Sequence, residues 1–172
     1  MRILIACDKF KGSLSATAAC EALRDGLREA GSSDELLVCP IADGGEGFTE
    51  SMVTALQGEW RTCESYDALH NPVEARYGLL RNAAGELEAV MEMAEASGLR
   101  RIPEESRNVL YSSTFGTGSM IRDAVSQGVQ RILLGIGGSA TNDGGVGMLA
   151  ALGVKFLDGD GGELDPVPAS LM

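Results

Sequence analysis

The amino-terminal part of the chain alternates twice between a short apolar run and the pattern of an amphipathic helix. Apolar runs occupy residues 3–7 and 36–41, and helical patterns occupy residues 15–30 and 48–57, each followed by a glycine. Short uninterrupted apolar runs are typical of strands buried on both faces, and a helix between two of them is typical of a parallel sheet. The sequence therefore predicts an α/β fold that begins with a βαβα unit over residues 1–58.

The pattern changes after residue 58, where strand-like stretches follow one another across short turns. Strands joined by turns favour antiparallel or mixed pairing over helical crossovers. We therefore expect part of a second α/β domain over residues 59–172. Strands are predicted at 60–66, 73–80, 87–93, 131–136 and 154–157, helices at 117–127 and 146–152, and no element at 166–172.

Charge and hydropathy exclude several classes of function. Asp and Glu number 25 against 14 Lys and Arg, which gives a net charge of −11, and no basic run is present. Such a chain is poorly suited to nucleic acid or to an anionic membrane surface. No apolar run reaches 18 residues, and the apolar start is too short for a secretory signal, so we expect a cytoplasmic protein without a membrane span.

The cysteines and the single histidine favour neither a metal site nor a covalent mechanism. Cys7, Cys20, Cys39 and Cys63 form no C-x-x-C pair, and we interpret all four as small buried thiols in a reducing compartment. One histidine, His70, provides neither a histidine-based zinc site nor a Ser-His-Asp triad.

The densest glycine cluster follows the predicted strand at residues 131–136. Six glycines lie from Gly135 to Gly147, and Ser139 and Thr141 add hydroxyl groups. Glycines let backbone amides approach a ligand closely, and a helix start adds unpaired N–H groups with partial positive charge. We interpret this loop as a cradle for phosphate. A tight turn is the alternative, but one or two glycines would suffice for it.

A second glycine-rich loop, at residues 43–47, follows the second apolar run. Asp43 and Glu46 stand there among three glycines. Carboxylates in such a loop suit Mg²⁺ or proton abstraction from a hydroxyl group. The alternative for Asp43 is an N-cap of the following helix, which leaves Glu46 and the third glycine unexplained.

Two more loops carry polar groups where ligands bind α/β sheets, at the carboxyl ends of strands or the starts of helices. Residues 8–13 contain Lys9 and Lys11, two of only three lysines, which indicates a contact with phosphate or carboxylate. Solvated charge is the alternative. Residues 112–119 are rich in Ser, Thr and Gly and either bind an anion or cap a helix.

A partial dinucleotide-binding pattern overlaps the glycine cluster. Gly135, Gly137 and Ala140 fit G-x-G-x-x-A, and Asp158 and Asp160 follow about 20 residues later. The helix should open inside this motif, whereas a polar stretch with two more glycines intervenes here. A nicotinamide-dependent oxidoreductase is therefore an alternative function. A P-loop is excluded because no G-x-x-x-x-G-K-[ST] sequence is present.

Five segments carry motifs that are more specific together than singly. They are A-C-D-K-F-K-G-S-L-S-A at 6–16, P-I-A-D-G-G-E-G at 40–47, M-E-M-A-E-A-S-G-L at 91–99, T-F-G-T-G at 114–118 and G-I-G-G-S-A-T-N-D-G-G-V-G at 135–147. In this order they resemble the type I glycerate kinase family, over about the first half of its usual length. Cys7 and Phe48 depart from the family pattern, which has Pro and commonly Thr there.

The resemblance implies two α/β domains, of which the first contains a parallel Rossmann- or flavodoxin-like sheet. It also implies transfer of the ATP γ-phosphoryl group to a hydroxyl of D-glycerate, with Mg²⁺, giving 2- or 3-phosphoglycerate. Because only about half of the family length is matched, a nucleotide-binding or oligomerising module without catalysis is a further alternative. A homo-oligomer is left open.

Together the loops and the resemblance assign roles to residues. Lys9 and Lys11 would neutralise phosphate or the substrate carboxylate, with Lys11 as a catalytic residue. Asp43 and Asp143 are catalytic candidates that would hold Mg²⁺ or orient the attacking hydroxyl, and the sequence does not decide between them. The predicted phosphate- or substrate-binding residues are Asp8, Lys9, Gly44, Gly45, Glu46, Thr117, Gly137, Gly138, Ser139, Thr141, Asn142, Gly144 and Gly145.

Overall fold

The computed structural model describes residues 1–171 and is an α/β fold with two sheets. The strands are β1 (Arg2–Ile5), β2 (Glu35–Val38), β3 (Glu59–Tyr66), β4 (Pro72–Arg81), β5 (Leu87–Glu92) and β6 (Arg131–Gly135). The helices are α1 (Ala16–Glu29), α2 (Phe48–Leu56), α3 (Ala94–Ser97), α4 (Phe115–Ser126) and α5 (Val146–Ala151). Every element predicted between residues 3 and 152 is present, with its ends shifted by a few residues.

The first sheet pairs β1 with β2 in parallel, as predicted, and α1 is the crossover helix. Ser15 caps this helix by accepting a hydrogen bond from the Ala18 amide, and Cys20 is buried against the sheet, with its thiol 3.6 Å from the Ile5 carbonyl oxygen. Burial on both faces was a wrong prediction. Leu4 and Leu37 are paired neighbours and are 63% and 40% exposed, because nothing in residues 1–171 covers their face.

The second sheet has the strand order β3-β4-β5-β6 and mixed pairing, as predicted. β4 pairs antiparallel with β3 and β5, whereas β5 and β6 are parallel. The strand expected at residues 154–157 is absent, and only an isolated bridge joins Leu157 to Glu163, because this segment turns back on itself. A short 3₁₀ turn occupies Pro168–Ser170, where no element was expected, and residue 172 lies outside the described residues.

Helices cover both faces of the second sheet. Helix α4 packs on one face, where Tyr77, Met91 and Met120 are fully buried. Helix α2 packs on the other face, through Val53 against Val90 of β5. Although α2 precedes residue 59, it therefore lies on the second sheet, and the division of the chain at residue 59 stays a prediction.

The cysteines differ in exposure, so their common interpretation as buried thiols was only partly right. Cys20 and Cys63 are buried, and burial raises the pKa of the Cys63 thiol to about 11. Cys39 is exposed, because it follows β2 at the uncovered side of the first sheet. Among the helices of residues 1–171, none is both long and apolar enough to cross a bilayer.

One ion pair joins the second sheet to its covering helix. Asp123 of α4 accepts hydrogen bonds from Arg61 Nε of β3 at 3.0 Å and from the Tyr77 hydroxyl of β4 at 2.7 Å. Burial alone would raise the pKa of Asp123, but these two hydrogen bonds outweigh it and hold the pKa below its usual value of 3.8.

Asp123→Asn is expected to lower the free energy of unfolding by about 1 kcal/mol near neutral pH, because a neutral amide accepts weaker hydrogen bonds. Since the pKa of Asp123 is lowered by folding, this contribution is present above pH 3.8 and is lost as the pH falls through the folded value. Urea unfolding of both proteins near neutral pH and well below pH 3.8 measures the difference. A difference that grows on acidification would contradict this assignment.

Candidate active-site cleft

A cleft of about 640 Å³ lies where loops from the two sheets meet. The loop after β1 and the loop after β2 form most of its walls, and the start of the loop after β6 closes one side. Its lining includes Lys9, Lys11, Ser13, Ser15, Thr17, Asp43, Gly45, Glu46, Glu50, Arg100, Gly137 and Gly138. Three of the four loops singled out in the sequence thus contribute to one cleft.

The loop after β1 brings both of its lysines to the cleft. Asp8 accepts a hydrogen bond from the Lys9 amide at 2.7 Å, so it fixes the turn and does not line the cleft. A bridge between Phe10 and Leu14 closes the loop, and Lys11 at its tip is exposed. The cationic side chains are therefore presented by a short hydrogen-bonded loop.

Asp43 faces the cleft from the loop after β2. Its Oδ1 accepts a hydrogen bond from the Gly45 amide at 3.2 Å and lies 3.5 Å from Lys9 Nζ. The Gly45 hydrogen bond, and then the Lys9 charge, hold the pKa of Asp43 below its usual value. The side chain is 70% exposed. Asp43 is therefore an ionised carboxylate that a ligand can reach.

The loops after β2 and β6 touch through their glycine backbones. The Gly137 amide donates a hydrogen bond to the Gly44 carbonyl at 2.9 Å. A Cβ on Gly137 would lie 2.6 Å from Gly45 Cα, and a Cβ on Gly135 would lie 2.5 Å from the Gly44 carbonyl oxygen. Glycine is required at these positions so that two backbones can approach each other at the edge of the cleft.

Gly137→Ala is expected to lower the free energy of unfolding by about 2 kcal/mol, since the added methyl group must separate the two loops. The separation should also weaken the binding of any ligand that contacts both loops. Gly159→Ala is the matched control, because a Cβ there meets nothing within 4 Å. Chemical unfolding measures both effects on stability, and equal effects for the two variants would contradict the role of close approach.

Glu92, which was not among the predicted site residues, fixes the far end of the loop after β2. It is 3% exposed and accepts hydrogen bonds from the amides of Gly47 and Thr49 at the start of α2. Burial raises the pKa of Glu92, and the two amide donors only partly offset this effect. The available signal was a glutamate between two methionines, at the end of the strand predicted at residues 87–93.

Asp143 lies outside the cleft lining, although it was predicted as a catalytic and metal-binding residue. It is 2% exposed, and Oδ2 accepts hydrogen bonds from the Thr114 amide, the Thr114 hydroxyl and the Gly147 amide at 2.8, 2.8 and 3.1 Å. Oδ1 accepts a fourth from the Gly145 amide at 3.0 Å. The carboxylate is thus occupied in joining the starts of α4 and α5.

Of the predicted site residues from Thr117 onwards, only Gly137 and Gly138 belong to the cleft lining. Thr117 is fully buried and shares a hydrogen bond with Ser97 at 3.0 Å. Ser139 and Thr141 bond to each other at 2.8 Å. The residues that the structure does not bring into the lining are Asp8, Gly44, Thr117, Ser139, Thr141, Asn142, Asp143, Gly144 and Gly145.

The dinucleotide-binding pattern and the predicted Mg²⁺ site can both be compared with this geometry. In the dinucleotide pattern a helix opens within the glycines, whereas α5 begins only at Val146, beyond Ala140. For a divalent cation, residues 1–171 hold no group of three or more His, Cys, Asp or Glu side chains suited to a metal. Mg²⁺ bound with a nucleotide needs only one or two protein carboxylates, and Asp43 with Glu46 fits that requirement, whereas the saturated Asp143 does not.

The chain is similar in sequence to glycerate kinases. The model of the glycerate kinase family matches residues 3–172. The chain is 48% identical to a glycerate kinase of Halalkalibacterium halodurans over 92% of its own length and 41% of the relative's. It is 43% identical to glycerate 2-kinase of Escherichia coli, over 95% and 42% of the two lengths.

A solved structure agrees with the sequence matches. The crystal structure of a glycerate kinase 2 candidate from Salmonella typhimurium LT2 matches with a TM-score of 0.82 and 42% identity, over 99% of this chain and 46% of the other. The chain thus spans somewhat less than half the length of these relatives. Because the family model matches residues 3–172, which is nearly the whole chain, the chain belongs to the glycerate kinase family.

Proposed function

We propose that this chain provides part of a glycerate kinase active site, which transfers the γ-phosphoryl group of ATP to a hydroxyl of D-glycerate. The observation that carries the proposal is the cleft, where two lysines, an ionised Asp43 and glycine backbones from two loops meet. Phosphoryl transfer depends mainly on positioning and on neutralising charge, and these groups supply both. The names of the relatives support glycerate as the acceptor.

Each group has a distinct role in the proposed reaction. Lys9 and Lys11 neutralise the phosphates. The glycines of the loops after β2 and β6 that line the cleft let the polyphosphate approach their backbones closely; they are Gly45, Gly47, Gly137 and Gly138. Asp43, with Glu46, would hold Mg²⁺, which when bound neutralises charge on the phosphate oxygens. A new bond forms between the glycerate hydroxyl oxygen and the γ-phosphorus, while the bond from the γ-phosphorus to the bridging oxygen breaks. ADP leaves with that oxygen, and the hydroxyl proton is released to water.

The proposal is tested by incubating the chain with ATP, Mg²⁺ and D-glycerate and following the mixture by ³¹P NMR. We expect ADP and a phosphoglycerate in equal amounts, and a ³¹P–¹H correlation identifies which hydroxyl is phosphorylated. A second arm titrates ATP–Mg²⁺ and NADH by calorimetry. Binding of NADH without ATP would contradict the proposal and favour the oxidoreductase alternative.

A second candidate function is nucleotide binding without transfer. It is favoured by one observation, namely that the chain spans only 41–46% of the relatives reported above. In that case ATP–Mg²⁺ binds to the cleft but no phosphoglycerate forms. The same two experiments therefore separate the candidates.

We also propose that the protein works in the cytoplasm. All four cysteines are free, and Cys20 and Cys63 are buried thiols, which suits a reducing compartment. Detection of the protein in a cell fraction other than the cytoplasm would contradict this. Homo-oligomer formation stays a prediction.

A further inference from the structure

Arg100 is a cleft residue that the mechanism above does not use. It lies in the 3₁₀ turn Leu99–Arg101, which follows α3. The Leu99 amide donates a hydrogen bond to the Gly138 carbonyl at 2.9 Å, so the backbone beside Arg100 is tied to the glycine loop. The Arg100 side chain lines the same cleft as Lys9 and is 43% exposed.

A buried carboxylate orients the Arg100 side chain. Glu95 of α3 is 7% exposed and accepts a hydrogen bond from Arg100 Nη2. The other oxygen of Glu95 lies 3.6 Å from Arg101 Nη2. One carboxylate therefore serves two guanidinium groups, and Arg100 also acts electrostatically on the nearby buried Glu92.

The Arg100 guanidinium keeps donors available for a ligand. Within residues 1–171, its Nε and Nη1 make no hydrogen bond that would occupy them. Nη2 carries a second hydrogen besides the one directed at Glu95, and together with the N–H of Nη1 or of Nε it forms a planar pair of donors that matches the two oxygens of a carboxylate. The ammonium group of lysine does not provide this geometry. Because Glu95 restrains the group, less conformational entropy is lost when an anion binds.

The role inferred for Arg100 rests on the proposed function. That function requires the cleft to hold two anionic groups, the polyphosphate of ATP and the carboxylate of glycerate. Lys9 and Asp43 are paired beside Gly45, which suits the phosphates and their cation. We propose that Arg100 binds the carboxylate of the acceptor substrate and so selects hydroxy acids over polyols. This makes Arg100 a substrate-binding residue of the chain.

The test measures binding of D-glycerate and of glycerol, which has the hydroxyls but no carboxylate, in the presence of Mg²⁺ and a non-hydrolysable ATP analogue. Arg100→Ala should weaken D-glycerate binding about 10- to 100-fold and change the affinity for the ATP analogue less than about 3-fold. Arg100→Lys keeps the charge but loses the planar pair of donors, so binding should remain weakened. Arg24→Ala is the matched control, since Arg24 is 40% exposed and is also paired with a carboxylate, that of Asp25.

Thermal unfolding of each variant shows whether the fold is retained, and Arg100→Lys remains informative if Arg100→Ala is unstable. Selective loss of D-glycerate binding in both Arg100 variants, with Arg24→Ala unchanged, supports the proposal. Unchanged D-glycerate binding in a folded Arg100 variant overturns the proposal. An equal loss of affinity for D-glycerate and for the ATP analogue also overturns it. If the wild-type chain binds neither ligand, the proposed function itself is contradicted. Equal affinity of the wild-type chain for glycerol and D-glycerate overturns only the role of Arg100.

Discussion

Asp43→Asn is expected to lower kcat/KM for D-glycerate phosphorylation by about 100- to 1000-fold. The wild-type carboxylate is ionised and reachable, because the Gly45 amide and Lys9 stabilise its charge at the edge of the cleft. The amide of Asn keeps the size and can still accept the Gly45 hydrogen bond, but it lacks the charge that a cation requires. The loop should therefore keep its shape while the chemistry fails.

The control for this variant is Asp25→Asn on α1. Asp25 is 61% exposed and paired with Arg24, so the same change of charge is made at a similar ion pair away from the cleft lining. If Asp43 holds Mg²⁺, a higher Mg²⁺ concentration should restore part of the lost activity. A loss that does not respond to Mg²⁺ would mean that Asp43 acts on the hydroxyl instead, and full activity would remove Asp43 from the site.

Asp143→Ala should lower the free energy of unfolding by about 3 kcal/mol. Four donors lose their acceptor, and Thr114 and Gly147 are buried, so their amides cannot turn to water. Urea unfolding measures the loss. Asp158→Ala provides the comparison, because Asp158 also accepts two backbone amides but in an exposed turn.

An Asp158→Ala variant should lose less than about 1 kcal/mol, because water can replace the lost acceptor. If Asp143→Ala instead unfolds like the wild type but no longer phosphorylates D-glycerate, then Asp143 takes part in the reaction and its structural role is wrong. This outcome would support the catalytic role that the sequence predicts for Asp143.

The two aspartates show where the sequence could and could not predict the site. Asp43 and Asp143 both stand in the local pattern D-G-G-x-G, and both accept the amide of the second following glycine. One local hydrogen bond is therefore shared, but the backbones differ, because α5 begins directly after Gly145, at φ +84°, whereas α2 begins only after Gly47. The two aspartates also differ in their tertiary packing. The segment around Thr114 folds over Asp143, whereas Asp43 remains 70% exposed.

The meeting of three loops could be predicted, because ligand-binding loops collect at the carboxyl ends of parallel strands. The roles of Glu92 and Arg100 could not, since each depends on a contact with a distant or buried group. Burial of β1 and β2 on both faces also failed as a prediction. The apolar runs correctly indicated strands, but whether another layer covers Leu4 and Leu37 is decided by chain outside these strands.

In the proposed function, the loops after β1, β2 and β6 together bind the phosphates of ATP. The most direct measurement is a ¹⁵N–¹H NMR titration of the labelled chain with ATP and Mg²⁺. We expect the amide resonances of residues 9–12, 44–47 and 137–138 to shift together, with one dissociation constant. Shifts confined to residues 144–145 and 158–162, or no shift in any of the three loops, would contradict it.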